Sequence, residues 1–212
     1  MALQVGLVPV TAFQQNCAIV WDDETKLGAV IDPGGDVPRI QAAIEKTGAQ
    51  ITDIFVTHGH FDHASGAAEL SELLDVRIVG PSIEDKFLLD DLETSGLKYG
   101  IKGRNCRPDH WLKDGEIVHI AGVAFEVRHC PGHTPGHVVF ISHAQKFGIF
   151  GDVLFHGSIG RTDLGHYGNH EQLIQSITTK LLTLPDDFSF ICGHGAGSTI
   201  GVERRSNPFL QG

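Results

Sequence analysis

Three histidines and an aspartate occupy four of the six positions from His58 to His63, which read HGHFDH. Imidazole nitrogens and carboxylate oxygens are the side-chain atoms that most often bind Zn²⁺ and other transition metals in proteins. The chain has 13 histidines, and a glycine that lets the backbone turn tightly precedes several of them. These residue types at this spacing predict a metal site, and the competing interpretation is a polar turn that happens to be rich in histidine.

The HGHFDH segment follows an apolar run, residues 51–56, that we predict to be a buried strand, and it precedes a predicted helix. Side chains two residues apart in an extended chain point the same way, so His58 and His60 can share one face. The chain must then turn toward the helix, which aims Asp62 and His63 in another direction. The segment can therefore offer two nitrogens to one ion, and an oxygen and a nitrogen to a second.

Further candidate ligands follow other predicted strands. His133 and His137 come after VAFEVRHC, Asp152 comes after KFGIF, and His194 comes after FSFIC. Loops gather where the strands of a sandwich end, and binding sites are usually built on such loops. We therefore expect these side chains to meet the HGHFDH segment at one edge of the fold.

Short apolar runs separated by turns must position these residues. The first half predicts strands at LQVGLVPV, NCAIVW, LGAVID, ITDIFVT and VRIVG, with helices at DVPRIQAAIEKTG, ASGAAELSELL and SIEDKFLLDDLETSGLKYG. The second half repeats this β-rich pattern loosely and adds a helix at HEQLIQSITTKLLTL. Sheets with interspersed helices are typical of a layered α/β sandwich. At 212 residues we expect one domain over residues 1–212.

Composition excludes several classes of function. Sixteen basic against twenty-six acidic residues give a formal charge of −10, which argues against unspecific nucleic-acid binding because phosphate contacts need clustered Lys and Arg. The four cysteines are far apart without a C-x-x-C pair, so we expect packed, reduced thiols. The N-terminus lacks the pattern of a signal peptide, and no apolar run approaches the ~18 residues of a membrane span. We expect a cytoplasmic protein that binds no membrane.

The motif THGHFDH, followed by PGHTPGH, FGD and CGHG, resembles the ligand series of the metallo-β-lactamase fold superfamily. More narrowly, the chain is similar to short glyoxalase II-like hydrolases. The resemblance extends over nearly the whole chain, from IDPGG to ERRSNPFL. It implies a four-layer αββα sandwich with the metal site at one edge of the β-sandwich.

The resemblance also implies two divalent ions per chain. Zinc is the first expectation, and a mixed nitrogen and oxygen site also accepts iron or manganese. The matching positions assign His58, His60 and His133 to one ion, Asp62, His63 and His194 to the other, and Asp152 to a bridge between them. Asp32 and His137 would support these ligands from behind. Arg161 and His166 are candidates for substrate contact, although Arg161 could equally only pair with Asp163.

The activity that the resemblance implies is thioester hydrolysis by a metal-bridging hydroxide, with a 2-hydroxyacyl-glutathione as the type of substrate. Asp62 would orient that hydroxide and move its proton. Full-length glyoxalase II has a C-terminal helical domain with basic residues for glutathione, which this sequence does not match before Gly212. We therefore expect catalysis to depend more on the acyl group than on the thiol carrier.

One motif favours a different reaction. GRTDL, residues 160–164, resembles a loop of the persulfide dioxygenases, which share the fold and hold one iron at positions matching His58, His133 and Asp152. The motif also occurs in short glyoxalase II-like proteins, and His194 would complete a second metal site, so we favour the dinuclear hydrolase. A lactonase and a non-catalytic metal-binding protein remain further alternatives, because ligands alone do not define a substrate.

Overall fold

The computed structural model describes residues 3–211, and its strands form two main sheets. The first sheet has the order β1-β2-β3-β4-β5, antiparallel from β1 to β3 and parallel from β3 to β5. Its strands are β1 Leu3–Val10, β2 Gln15–Asp22, β3 Leu27–Ile31, β4 Gln50–Phe55 and β5 Arg77–Val79. Both parallel pairings place the end of β4 beside the ends of its neighbours at one edge.

The second sheet has the order β13-β12-β9-β8-β7-β6. Its strands are β6 Ile117–Ile120, β7 Val123–His129, β8 Val138–Ser142, β9 Phe147–Ile149, β12 Ser189–Ile191 and β13 Ser198–Thr199, and β10 Leu154–Phe155 pairs with β11 Ser158–Ile159 in a separate hairpin. β8 runs antiparallel to both β7 and β9, and β12 runs parallel to β9. β7, β9 and β12 therefore point the same way and end at the same edge.

Short helices surround the sheets. They are α1 Val37–Thr47, α2 Phe61–Ala64, α3 Ala67–Leu74, α4 Lys86–Leu89, α5 Leu92–Leu97, α6 His170–Ser176 and α7 Ile200–Ser206, with 3₁₀ turns at Ile83–Asp85 and Pro208–Leu210 and a π-helical turn at Ile177–Leu181. α1 begins with Pro38 in its first turn and ends at Gly48 in a left-handed conformation, the usual signals at the two ends of a helix. Across residues 3–211 no helix is long and apolar enough to cross a membrane.

Alternation along the strands builds three hydrophobic cores and so defines the layers. In β2, Ala18 and Val20 face the core between the two sheets, while Ile19 faces a second core under α1 and α3. In β8, Phe140 faces the central core, and Val139 faces a third core under α6 and α7. Because successive side chains of a strand point to opposite faces, each sheet is covered on both sides. The order helix, sheet, sheet, helix confirms the predicted four-layer αββα sandwich.

Two predicted segments differ in detail. The helix expected through SIEDKFLLDDLETSGLKYG is broken into a 3₁₀ turn, α4 and α5. The first break falls at Asp85, whose carboxylate turns inward and accepts hydrogen bonds from the backbone of Gly59 and Gly136. The stretch between Asp152 and the predicted helix HEQLIQSITTKLLTL, where we predict no strand, contains the β10–β11 hairpin, whose two strands have only two residues each, too few for a visible alternation.

Candidate metal centre

Four chain segments bring the predicted ligands together at the edge where β4, β7, β9 and β12 end. The loop after β4 and the short helix α2 carry HGHFDH, and His133, Asp152 and His194 lie three or four residues beyond the other three strands. Backbone hydrogen bonds connect these loops: Val138 N donates to Thr57 O at 2.9 Å, and Gly193 N donates to Gly151 O at 2.9 Å. The edge of the sandwich is therefore tied together beside the candidate site.

The first cluster is formed by His58, His60 and His133. One ring nitrogen from each lies within 4.8 Å of the others, and Nε2 of His58 lies 3.0 Å from Nδ1 of His60. All three side chains are buried. Three imidazoles that converge in this way can hold one divalent ion and leave a position open for a water or a substrate atom.

The second cluster is formed by Asp62, His63 and His194, whose ligand atoms also lie within 4.8 Å of one another. Asp62 Oδ2 is 3.3 Å from Nε2 of His194 and 3.9 Å from Nε2 of His63. The turn into α2 explains the division predicted from the sequence, because His60 is the last extended residue before α2 begins at Phe61. Residues before and after that turn thus face different clusters.

Asp152 lies between the two clusters. Its Oδ2 is 3.6 Å from Nε2 of His133 in the first cluster, and its Oδ1 is 3.3 Å from Nε2 of His63 in the second. Gly193 allows this approach, because a Cβ at that position would collide with Asp152 Oδ1 and with the ring of His63. Asp152 Oδ2 is also 3.6 Å from Nε2 of His194 in the second cluster, so the carboxylate lies within reach of histidines from both clusters.

Each of the five clustered histidines uses its other ring nitrogen for a hydrogen bond that leads away from the cluster. Such a bond fixes the ring orientation and determines which nitrogen is free to bind a metal. The partners are the Asp32 carboxylate for His63, the Thr57 hydroxyl for His58, the Tyr167 hydroxyl for His60, the Arg161 carbonyl for His133 and the Phe13 carbonyl for His194.

Asp32 and His137 lie behind the clustered residues, the positions that the family resemblance implies for them. Asp32 lies near His58 and His63 and could be counted as a ligand in a third cluster. Its oxygens, however, already accept hydrogen bonds from Thr57 N, Thr57 Oγ1 and His63 Nδ1, so we interpret it as a support. His137 stacks on the ring of His58 at 4.5 Å, and its Nε2 accepts a hydrogen bond from the backbone N–H of Asp152.

Burial and charge divide the histidines into two groups. Burial lowers the pKa of His58, His133 and His60, for His60 to about 3, so these imidazoles are neutral at pH 7. Burial alone would also lower the pKa of His63, but the carboxylates of Asp152 and Asp62 outweigh it and raise that pKa well above its usual value. Neutral imidazole is the form that binds metal, and the carboxylates favour positive charge beside the second cluster.

Buried atoms without hydrogen bonds test whether a metal fits here. Among the described residues, His63 Nε2, His133 Nε2 and Asp152 Oδ1 are fully buried and make no hydrogen bond. An unsatisfied buried polar atom costs about 1–3 kcal/mol, and all three of these atoms face the same small space between the clusters. Metal coordination would satisfy them together, so the donor set fits one or two divalent ions.

Asp85 is an important residue that the sequence reasoning missed. It is fully buried, and its carboxylate accepts hydrogen bonds from Gly59 N, Thr134 Oγ1 and Gly136 N at 2.6–2.8 Å. Gly59 lies between two candidate ligands and Thr134 follows a third, so Asp85 joins the two loops that form the first cluster. Burial raises its pKa to about 6. In sequence, an aspartate in SIEDK looks like any exposed acid near a helix start.

A cavity of about 700 Å³ opens onto the site and includes His60, Asp62, His133, Asp152 and His194 in its lining. Arg161 also lines it, and two nitrogens of its guanidinium donate to the Asp163 carboxylate at 2.9 Å each. Its position is compatible with both roles that the sequence left open. His166 is exposed and is not among the lining residues, whereas its neighbour Tyr167 is. The substrate contact expected for His166 stays a prediction, and Tyr167 is the neighbour whose side chain lines the cavity.

Comparison with known proteins agrees with this architecture. The family model for the metallo-beta-lactamase superfamily matches residues 10–194. The chain is 47% identical over 210 residues, 98% of each chain, to hydroxyacylglutathione hydrolase GloC of Haemophilus influenzae.

Two solved structures superpose over nearly their full length. The crystal structure of BLEG-1 B3 metallo-beta-lactamase has a TM-score of 0.90 at 32% identity, covering 99% of this chain and 100% of that one. The structure of TTHA1623 in a di-iron-bound form has a TM-score of 0.86 at 33% identity, covering 97% and 100%. With its four layers, its HGHFDH loop and these matches, the chain is a member of the metallo-β-lactamase superfamily.

Proposed function

We propose that this protein is a metal-dependent hydrolase that cleaves thioesters of the hydroxyacylglutathione type. The observation that carries the proposal is the position of Asp152 between two clusters, with one carboxylate oxygen toward His133 and the other toward His63. In this assignment His58, His60 and His133 would hold one ion, Asp62, His63 and His194 would hold the second, and Asp152 would contribute to both. Zinc is the expected metal, and iron or manganese is compatible with the same donors.

Divalent ions at such a site supply a nucleophilic water at neutral pH and polarise a carbonyl group. In the reaction the water oxygen bonds to the thioester carbonyl carbon and the carbon–sulfur bond breaks. The products are a carboxylate, a thiol and one proton. No serine or cysteine nucleophile is required.

Asp62 is the residue that we assign to proton movement. It lies in the cavity lining, and burial raises its pKa while the neighbouring His63 and His194 lower it, with a net shift below the usual value. The carboxylate is therefore ionised at pH 7 and can accept a hydrogen bond from the attacking water.

The similarity to hydroxyacylglutathione hydrolase GloC supports a thioester as the substrate. BLEG-1, which has the same fold, is described as a B3 metallo-beta-lactamase, so related chains are named for different substrates. Substrate choice depends on the residues around the site and not on the fold, so an assay must test the thioester.

One structural observation supports the alternative function, a persulfide dioxygenase. His58, His133 and Asp152, the positions that match its iron ligands, lie together at the first cluster. His194 favours the hydrolase over it, because its Nε2 lies within 3.6 Å of both Asp62 and Asp152 and completes a second set of donors.

An assay that follows both reactions distinguishes the two. Metal-replete protein is incubated with S-lactoylglutathione, with thiol release as the readout, and with glutathione persulfide in an oxygen electrode. The hydrolase reading predicts thiol release, no oxygen consumption, and loss of turnover in His133→Ala. Oxygen consumption without thiol release would replace it with the dioxygenase.

A further inference from the structure

Aromatic side chains surround the cavity to an unusual degree. Four phenylalanines and tyrosines are prominently exposed within residues 3–211, namely Phe13, Phe87, Tyr99 and Phe209. The first three line this one cavity. Contiguous exposed apolar surface usually marks a binding site, whereas single exposed apolar residues need no explanation. The clustering around the candidate metal centre therefore calls for a ligand with apolar surface.

The aromatic residues form two walls. On one side Phe61 stacks on Tyr99 with ring centroids 4.9 Å apart, and Phe13 packs edge-on against both at 5.3 and 5.6 Å. On the other side Phe87 packs against Tyr167 at 5.4 Å. The first wall adjoins the second cluster through Phe61, which precedes Asp62, and the second adjoins the first cluster through the Tyr167–His60 hydrogen bond. A substrate carbonyl at the centre would lie between them.

Cationic groups are few by comparison, and the other charged residues of the lining are the aspartates Asp62, Asp91 and Asp152. The lining contains two cations, Lys98 and Arg161, and Arg161 is already paired with Asp163. A glutathionyl tail carries two carboxylates and an ammonium group and would need several charged or hydrogen-bonding partners. An aromatic ring, in contrast, gains from edge-to-face and stacked contacts with rings such as Phe87 and Tyr99.

From these observations we propose that the cavity binds an apolar, aromatic or branched acyl group, so that the preferred substrates are thioesters of larger apolar 2-hydroxy acids and not of lactate. This inference rests on the proposed thioester hydrolysis and defines the substrate class for the same site. The chemistry is unchanged: water adds to the carbonyl carbon, the carbon–sulfur bond breaks, and the carboxylate, the thiol and a proton are released.

The test compares two thioesters that share one thiol. Metal-replete protein is assayed with the 3-phenyllactoyl and the lactoyl thioesters of N-acetylcysteamine, and each rate is normalised to hydrolysis by hydroxide. The added phenyl ring buries apolar surface at ~25 cal/mol per Å², so we expect kcat/KM to be at least ~10-fold higher for the phenyllactoyl compound. Isothermal titration calorimetry with 3-phenyllactate and lactate should show the same order of affinity without turnover.

Three variants locate the effect. Phe87→Ala and Tyr99→Ala should reduce the phenyllactoyl-to-lactoyl ratio, because each removes part of a wall. Phe209→Ala removes an exposed phenylalanine outside the cavity lining and should leave the ratio unchanged.

The outcomes distinguish failure of the acyl preference from failure of the proposed hydrolase activity. Lactoyl thioester cleavage with a ratio near one, or a ratio that Phe87→Ala and Tyr99→Ala leave unchanged, overturns the acyl preference and keeps the hydrolase. Failure of metal-replete protein to cleave these two thioesters and S-lactoylglutathione overturns both.

Discussion

Asp32 Oδ2 accepts a hydrogen bond from His63 Nδ1 at 2.9 Å, in a position where both side chains are buried. In the neutral form that binds metal, the bond places the ring proton on Nδ1, which leaves Nε2 of His63 free toward Asp152. Asp32 is itself held by the backbone and the hydroxyl of Thr57. The orientation of a candidate metal ligand is therefore determined by a carboxylate that does not itself face the metal position.

Asp32→Asn should weaken metal binding by about 10–100-fold, the usual effect of losing a carboxylate that orients a histidine ligand. Competition with a chromophoric chelator measures the affinity. Asp23→Asn, in the exposed turn after β2, is the matched control and should bind metal as the unmodified protein does. Equal affinities for the two variants would show that the Asp32–His63 bond has no influence on the site.

Asp152→Ala should impair binding of both ions, because one carboxylate lies between the two clusters. His194→Ala should impair only the second, because His194 belongs to one cluster. Metal content after gel filtration, measured by mass spectrometry, distinguishes them. Two metals per chain retained in Asp152→Ala, with unchanged turnover, would remove Asp152 from the bridging position.

Asp85→Ala should lower the free energy of unfolding by about 3 kcal/mol, since it leaves buried donors on Gly59, Thr134 and Gly136 without an acceptor. Urea denaturation of the metal-free protein measures the loss independently of metal binding. Asp90→Ala, an exposed aspartate on the same segment, is the control and should change stability by less than about 0.5 kcal/mol. Similar stabilities for the two variants would mean that Asp85 does not join the loops.

Much of this site follows from the sequence because its residues are local. His58, His60, Asp62 and His63 lie in one segment after a buried strand, and the apolar run at residues 51–56 placed that strand to within one residue. His133, Asp152 and His194 could be selected because each follows an apolar run that predicts a strand. The supporting residues carry no such signal. Both supporting residues contact the site from a distant part of the chain. Asp85 is 26 residues away from Gly59, and Tyr167 is 107 residues away from His60.

The four cysteines should be inert in the folded protein. All are buried as free thiols, and burial raises the pKa of Cys106 and Cys130 to about 12. Burial also raises the pKa of Cys192 to about 11. Because the thiolate is the reactive form, reaction with 5,5′-dithiobis(2-nitrobenzoic acid) at pH 8 should be at least ~10²-fold slower than for an unperturbed thiol of pKa ~8.5. Four thiols should react after denaturation in guanidinium. Rapid reaction of one native thiol would identify it as accessible.

The thiol carrier should contribute little to catalysis. Lys98 and Arg161 are the cations in the cavity lining, and Arg161 is paired with Asp163, so few groups remain to bind a glutathionyl tail. S-lactoylglutathione and lactoyl-N-acetylcysteamine should differ by less than ~100-fold in kcat/KM, which corresponds to ~2.7 kcal/mol of transition-state binding. A larger preference for the glutathione compound, under equal metal loading, would reveal a tail site outside this cavity.

We expect thioester hydrolysis to need two metal ions held by these seven residues. The most direct measurement titrates metal-free protein with zinc and follows bound metal and S-lactoylglutathione hydrolysis in the same samples. Hydrolysis should be absent without metal and rise to a plateau at two equivalents per chain, and His58→Ala should not reach that plateau. Full hydrolysis by metal-free protein, or a plateau at one equivalent that His194→Ala leaves unchanged, would contradict this expectation.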